Sequence, residues 1–468
     1  MARVIVSHFS GIHHSSQWHS SCFYDGLVQS LAEQGNDVLH ILSSDFIKRP
    51  WNGNNQLLNG IDGKLTLERI RSFNPDLVIA FNNSTIEGME DAVDCPFILW
   101  DADSLAYFNN KEEVQKKKDR YIFLAFSTFG AEEYRQVLSP SLSRVHRVQA
   151  ATAIKAEKKK IRDNISFIGT YFILNYWIQC AAGAKPENTA ALIKEFEKGP
   201  DFNLDRALEE NDLEDFQITE GALRGLRAGE NRNQTIAAVA PLGIQIFGTQ
   251  EWYSAIHFSI NTFLSYDPRF AYSLAHNQDI YNRSRIGINI SHSQNITGYP
   301  WRVMDILASS ACLVSDRKTD LEKDFGEKIP LQFYETPWEA YSVCRKLLEN
   351  EALRQDVVSA SNAAIEAGFR WKHRFRDIEQ ICGTKLLNPD REGSVSRLMP
   401  DYGGAYRIPE SALKLMLWAM KKTPSSLRNS IFRIAKGTGM GKYLDQHTKQ
   451  ILYHLMNLQD RHLYSMDE

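Results

Sequence analysis

The chain has 468 residues, 43% of them hydrophobic and 24% charged, with a formal net charge of -3. That length is too great for one ordinary core and predicts two or three domains, while the composition excludes a disordered chain. A charge so near neutral removes any electrostatic case for nucleic acid as a partner.

Residues 3–7, Arg-Val-Ile-Val-Ser, form a short β-branched run that predicts a first strand. A loop rich in Gly, His and Ser follows over 10–21, then helical apolar spacing at Phe23, Leu27 and Leu31, stopped by Gly35-Asn36. Residues 37–42 predict a second strand and 65–73 a helix broken by Asn74-Pro75. Apolar runs at 76–81, 95–100 and 121–126 predict buried strands, with a helix at 132–138 behind the last. Continuous apolar strands separated by helices mean a parallel sheet covered on both faces.

The charged run at 155–162 reads as a solvated linker. A second set of strands follows at 165–169, 243–248, 286–290 and 311–315, and residues 338–367 are strongly helical. The polar stretch over roughly 188–237 is expected to form helices outside this second domain. Two Rossmann-like sheets in succession are the simplest architecture for this order.

The six cysteines are scattered without a CxxC pair, which leaves no case for a zinc ribbon or a redox motif and suits a reducing cytosol. Residues 1–7 are too short for a signal peptide, and no apolar run nears the roughly 20 residues that span a bilayer. A cytoplasmic protein is expected, with the inner membrane face as a place of contact. The tail over 411–449 carries eight Lys or Arg and one acid beside an apolar patch at 413–420. It reads either as an amphipathic dock onto anionic lipid or as a helix packed on the protein with a basic outer face.

Ligands in open parallel sheets bind beyond the carboxyl ends of strands, which singles out five loops. The first, 291–300, contains Gly298, which lets the backbone approach a ligand, and leads into a helix near Trp301. Arg302 could add a bidentate contact to a diphosphate, and Asp305, one turn on, could hold ribose hydroxyls. An ordinary strand-to-helix turn with an exposed Arg–Asp pair is the competing reading. The second loop holds His13 and His14, and the third holds Asp101 and Asp103, either a general base for an acceptor hydroxyl or a helix cap. The fourth and fifth, at Gly169-Thr170 and Gly248-Thr249, could approach phosphate.

Residues 289–368, with the core Arg302-Val-Met-Asp-Ile-Leu-Ala-Ser-Ser-Ala-Cys-Leu-Val-Ser-Asp316, resemble the C-terminal region of CgeB-like glycosyltransferases of the group 1 type. Residues 74–79, 100–103 and 165–169 continue the resemblance upstream, so that it spans roughly 1–170 and 235–385. It implies an α/β GT-B fold, two Rossmann-like domains facing a central cleft, with a helical insert and a helical C-terminal tail. The expected divisions are 1–155 on the acceptor side, 163–385 for the nucleotide-sugar with an insert at about 175–237, and a helical basic extension over 390–468. It further implies a nucleotide-diphosphate-sugar donor, UDP-, GDP-, dTDP- or CMP-linked, with no bound cofactor and no metal.

Donor contacts are then expected from Gly169, Gly248, Asn289, His292, Gly298, Tyr299, Arg302 and Asp305, and catalytic groups from His13, His14, Asp101 and Asp103. Expected acceptors are a glycan, a lipid-linked sugar or a protein, in synthesis of bacterial surface polysaccharide or glycoconjugate. Two departures stand out: the family's acid is Asp305 rather than Glu, and the earlier acid of retaining relatives is Thr297. Stereochemistry therefore stays open. The rival reading is a catalytically silent subunit that binds glycan or docks a partner; an epimerase or phosphorylase of the same shape is a third.

Overall fold

Fifteen strands and the helices between them are seen in a computed structural model. It describes residues 1–8, 11–14, 17–20, 22–42, 63–82, 84–86, 88–101, 105, 111–172, 220–248, 252, 255, 259–267 and 272–398. The strands of the first half are β1 (Arg3–His8), β2 (Gly11–His14), β3 (Gln17–Ser20), β4 (Asp37–Leu42), β5 (Leu77–Phe81), β6 (Phe97–Asp101), β7 (Tyr121–Ala125) and β8 (Val145–Arg147). The second half adds β9 (Asp163–Ile168), β10 (Ile244–Phe247), β11 (Tyr266–Asp267), β12 (Ser284–Asn289), β13 (Cys312–Asp316), β14 (Gln332–Tyr334) and β15 (Val395–Leu398).

Two parallel sheets result. The first runs β15-β4-β1-β5-β6-β7-β8 and the second β11-β10-β9-β12-β13-β14. Their strands are apolar along nearly their whole length because helices cover both faces: all five residues of β5 and of β6 are buried. In the second sheet the chain builds outward from β9 through β10 to β11, then returns to β9's other side for β12. The order reverses between β9 and β12, the place where open parallel sheets bind their ligands.

Three differences from the sequence reading have physical causes. The loop at 10–21 contains an antiparallel hairpin of β2 and β3, too short and polar to show as alternation. The stretch from 390, expected to open a helical extension, instead begins with β15, paired to β4 at the edge of the first sheet. As an edge strand with half its residues exposed, it carries no apolar run.

The third concerns the expected insert. Residues 173–219 lie outside the described residues, but Glu220–Val239 is a helix connecting β9 to β10. It is no outer helix: Arg232, Asn233, Thr235 and Ile236 are all buried. Its polarity is turned inward, which is why its composition misled. The tail, including the basic stretch 411–449, lies outside the described residues. No helix among the described residues is long and apolar enough to cross a membrane.

The two halves share one apolar core. At their junction Trp301 stacks on Phe23 (5.0 Å) and meets Trp371 (5.6 Å), while Trp371 stands edge-on to Trp100 (6.3 Å). Residues 149–154 link the halves; Ala150, Ala151, Thr152 and Ile154 are buried, whereas 155–162 are mostly exposed, as a solvated linker would be. Helix Trp371–Cys382 carries the chain back to the first half.

Candidate functional site

At the carboxyl ends of β9 and β12, two guanidinium groups meet. Arg302 begins the helix Arg302–Leu307, and its Nη1 donates to Asn289 Oδ1 (3.1 Å) and to the Ile290 carbonyl (3.2 Å). Arg232 comes from the helix Glu220–Val239; its Nη2 donates to the same Ile290 carbonyl (3.2 Å) and its Nη1 to the Thr170 carbonyl. Both cations lie over the Phe167 ring, at 5.2 Å for Arg232 and 5.4 Å for Arg302, and Arg232 also lies 4.4 Å from the Phe172 ring.

Among the described residues no carboxylate forms an ion pair with either. Arg232 is 3% exposed and its Nε has no hydrogen-bond partner. Burial, with Arg302's charge beside it, pulls Arg232 down to about 9. Two like charges held together by carbonyls and an aromatic ring, without an acid between them, form a site with unmet demand for an anion.

Glycines shape the same place. A Cβ at Gly169 would sit 2.7 Å from the Phe167 ring and 3.3 Å from Arg302 Nη2. Gly248 ends β10 so close to Gly169 that a Cβ would stand 2.2 Å from its carbonyl oxygen. That carbonyl accepts from Trp252 Nε1 (2.7 Å). His292, half-buried, stands edge-on to Phe172 (4.9 Å), and its Nδ1 accepts from the Gln294 amide (3.1 Å). Gly169, Gly248, Asn289, His292 and Arg302 are thus gathered around one crevice. Arg232 was missed by sequence reasoning, since it sits in a polar stretch with no motif around it. Its only signal is its place on the helix after the second domain's first strand.

The other expected donor residues are placed elsewhere, and these are corrections. Gly298 does bring the backbone close to something, but to the first domain: a Cβ there would lie 2.5 Å from Ser127 Cβ. Tyr299 is buried, and its hydroxyl donates to Asp324 Oδ2 (2.9 Å). Trp301 Nε1 donates to the Ala151 carbonyl (2.6 Å). The turn at 298–301 is therefore an interdomain contact rather than an open phosphate cradle.

Asp305 also faces away from the crevice. It is 2% exposed, accepts from Thr152 Oγ1 (2.6 Å) and from Cys22 Sγ (3.7 Å), and so ties the interdomain link to both halves. Burial pushes its carboxyl up to about 7, against the hydrogen bonds from Thr152 and Cys22 and the charge of Arg302.

On the acceptor side, Asp101 ends β6 and is 5% exposed. With Ser127, Gly130, Gln294, Gly298 and Tyr299 it borders a small pocket across the junction. His13 and His14 lie on β2, opposite Trp18 and Gln17 of β3, but the description does not reach their side chains. Asp103 and Thr249 lie outside the described residues. No group of three or more His, Cys, Asp or Glu among the described residues is arranged to hold a metal.

Beside this pocket the halves are clamped. Arg147 of β8 grips Asp324 with two bonds (3.0 and 2.6 Å), and Asp320 accepts from Thr128 N (2.8 Å), Thr128 Oγ1 (2.7 Å) and Thr297 Oγ1 (2.9 Å). Thr297 Oγ1 also accepts from Phe129 N (3.0 Å).

Residues 232–380, less than half of the chain, match the family model for "Glycosyl transferase-like" proteins. Among curated proteins none matches the chain significantly. Solved structures similar to it include a glycosyltransferase from Rickettsia africae, 12% identical, with 83% of this chain and 99% of that one covered and a TM-score of 0.45. Anabaena HepE in complex with UDP and glucose is 10% identical over 81% of this chain and 99% of that one, at 0.47. T4 phage BGT in complex with its UDP-glucose substrate is 9% identical over 82% and 100%, at 0.43.

Proposed function

We propose that the chain transfers a sugar from a nucleoside-diphosphate sugar to an acceptor. The observation that carries this reading is the pair of guanidiniums, Arg232 and Arg302, at the reversal point of the second sheet, with neither in an ion pair among the described residues. A diphosphate supplies two negative groups at the spacing of two adjacent cations, and Phe167 beneath them lowers the local dielectric. As the glycosidic bond to the diphosphate breaks, charge grows on the leaving oxygens, and the same two cations stabilise it more in the transition state than in the ground state.

The match of residues 232–380 to glycosyl transferase-like proteins supports this reading. A two-cation site favours UDP-, GDP- or dTDP-sugars over CMP-sugars, whose single phosphate engages fewer donors. Asp101, bordering the pocket against 294–299, is the best-placed group to accept the acceptor's proton. His13, His14 and Asp103 remain candidates on the same side. The donor domain is read as 163–385 and the acceptor domain as 1–155 with β15. The acceptor class, a glycan, lipid-linked sugar or protein, follows from the resemblance alone.

Calorimetric titration with UDP, GDP, dTDP and CMP, each free and sugar-linked, tests this. Binding is expected for at least one diphosphate, and Arg302→Ala should weaken it about 10- to 100-fold, the worth of a charge-assisted contact. No binding of any nucleotide ends the reading. One observation favours binding without turnover: Thr297, at the site of the retaining acid, is already engaged with Phe129 and Asp320. Tight donor binding with neither hydrolysis nor transfer would select that second reading.

A further inference from the structure

We propose that Asp316 is a positioning residue: acting through Asn289, it fixes the direction in which Arg302 presents its guanidinium. The inference rests on the donor reading above for its consequence, but its geometry is independent of it. Asn289 ends β12 and is fully buried, and it pairs in register with Ser315, the neighbour of Asp316 on β13.

The amide of Asn289 has different partners at its two ends. Its Nδ2 is 3.0 Å from Asp316 Oδ1, 3.0 Å from Ser315 Oγ and 3.1 Å from Ser291 Oγ. Its Oδ1 accepts from Arg302 Nη1. Each hydroxyl spends its one hydrogen on Asp316, Ser291 Oγ on Oδ1 and Ser315 Oγ on the backbone carbonyl, so each offers the amide a lone pair, and the Ser291 hydroxyl does so because the carboxylate takes its hydrogen. Asp316, as a carboxylate, only accepts. It is held in place by Ser291 N (3.1 Å) and Ser291 Oγ (2.9 Å) on Oδ1, and Lys318 Nζ lies 3.4 Å from Oδ2.

Turning the amide over would set its oxygen against a carboxylate and its NH₂ against a guanidinium, two repulsive contacts in place of two favourable ones. The acceptor-only group therefore selects one orientation, and that orientation holds Arg302. A neutral oxygen holds the cation without neutralising it; a carboxylate at 289 would consume the charge that a diphosphate needs. Nothing in this arrangement requires Asp316 to touch the donor.

The variant Asp316→Leu keeps a similar size but accepts no hydrogen bond and frees the Ser291 hydroxyl, so Asn289 loses its bias. Rotation of the Arg302 guanidinium, followed by NMR of arginine-labelled full-length protein, is expected to speed up about tenfold, as for a lost hydrogen bond. Calorimetry with UDP or GDP, whichever the wild type binds, is expected to show about a tenfold loss for Asp316→Leu and less than about a twofold further loss in the Arg302→Ala background. Unchanged rotation of Arg302 overturns the proposal whatever the affinities. Equal losses in both backgrounds overturn it too, since Asp316 would then act without Arg302. Should the wild type bind neither nucleotide, the donor reading falls and the rotation measurement alone decides. If Asp316→Leu fails to fold, Asp316→Ala removes the acceptor-only group in the same way.

Discussion

Asp305 shows how one residue can be legible in type and misread in role. Its spacing from Arg302 puts both on the helix Arg302–Leu307, but the helix points one at the crevice and the other at the link between domains. Burial raises its carboxyl from an ordinary 3.8 to about 7. The folded chain therefore keeps a proton there at pH values where the unfolded chain has lost it. Stability from this group is fully present below about pH 4, declines as pH rises toward 7, and is flat beyond. The span is of order a few kcal/mol. Urea denaturation at pH 5 and 8 should show a smaller loss for Asp305→Asn than for the wild type. Identical losses would mean that the carboxyl does not titrate in this window.

Among the elements, the segment at 294–301 matters most, because it is both the exit of β12 and a contact with the first domain. Its fit depends on Gly298, whose missing side chain leaves space for Ser127. Gly298→Val is expected to lower stability by about 1–3 kcal/mol through overpacking, seen as a lower melting temperature. It should spare nucleotide binding if Arg232 and Arg302 alone hold the diphosphate; abolished binding in a folded variant would return this turn to the site. The helix Glu220–Val239 shows the opposite case, an element that buries the polar residues Arg232, Asn233 and Thr235. Arg232→Met keeps the volume and removes the charge, so nucleoside-diphosphate affinity should drop at least about tenfold with little change in melting. Unchanged affinity would leave Arg302 as the sole cation of the site.

Across the whole molecule, two sheets are joined by one apolar core and by a clamp. The aromatic junction of Trp100, Trp301 and Trp371 runs without a break into both halves, so calorimetry should give a single unfolding transition. Two separated transitions would show that the halves fold independently. The clamp is the polar counterpart. Arg147→Met leaves Asp320 and Asp324, both largely buried, without their cation. The expected cost is about 3 kcal/mol, the low end for a broken buried pair, with a larger radius of gyration in small-angle scattering. An unchanged radius would mean that the aromatic junction alone sets the spacing.

The sequence by itself determined the two parallel sheets. Apolar runs such as 76–81 and 286–290 have no other stable use than strands covered on both faces, so local pattern and global packing agree there. It also determined that Gly169 and Asn289 stand at strand ends and Arg302 at the start of a helix, since these places follow from the elements. What the tertiary structure alone decided was direction and company. Whether Asp305 meets a ligand or Thr152 and whether Gly298 approaches a phosphate or Ser127 depend on how the second half is set against the first, and whether Arg232 is outside or beneath depends on how its helix packs on the second sheet. Such contacts join residues 58 positions apart for Arg232 and Ile290 and 153 apart for Thr152 and Asp305, and periodicity carries no information over that distance.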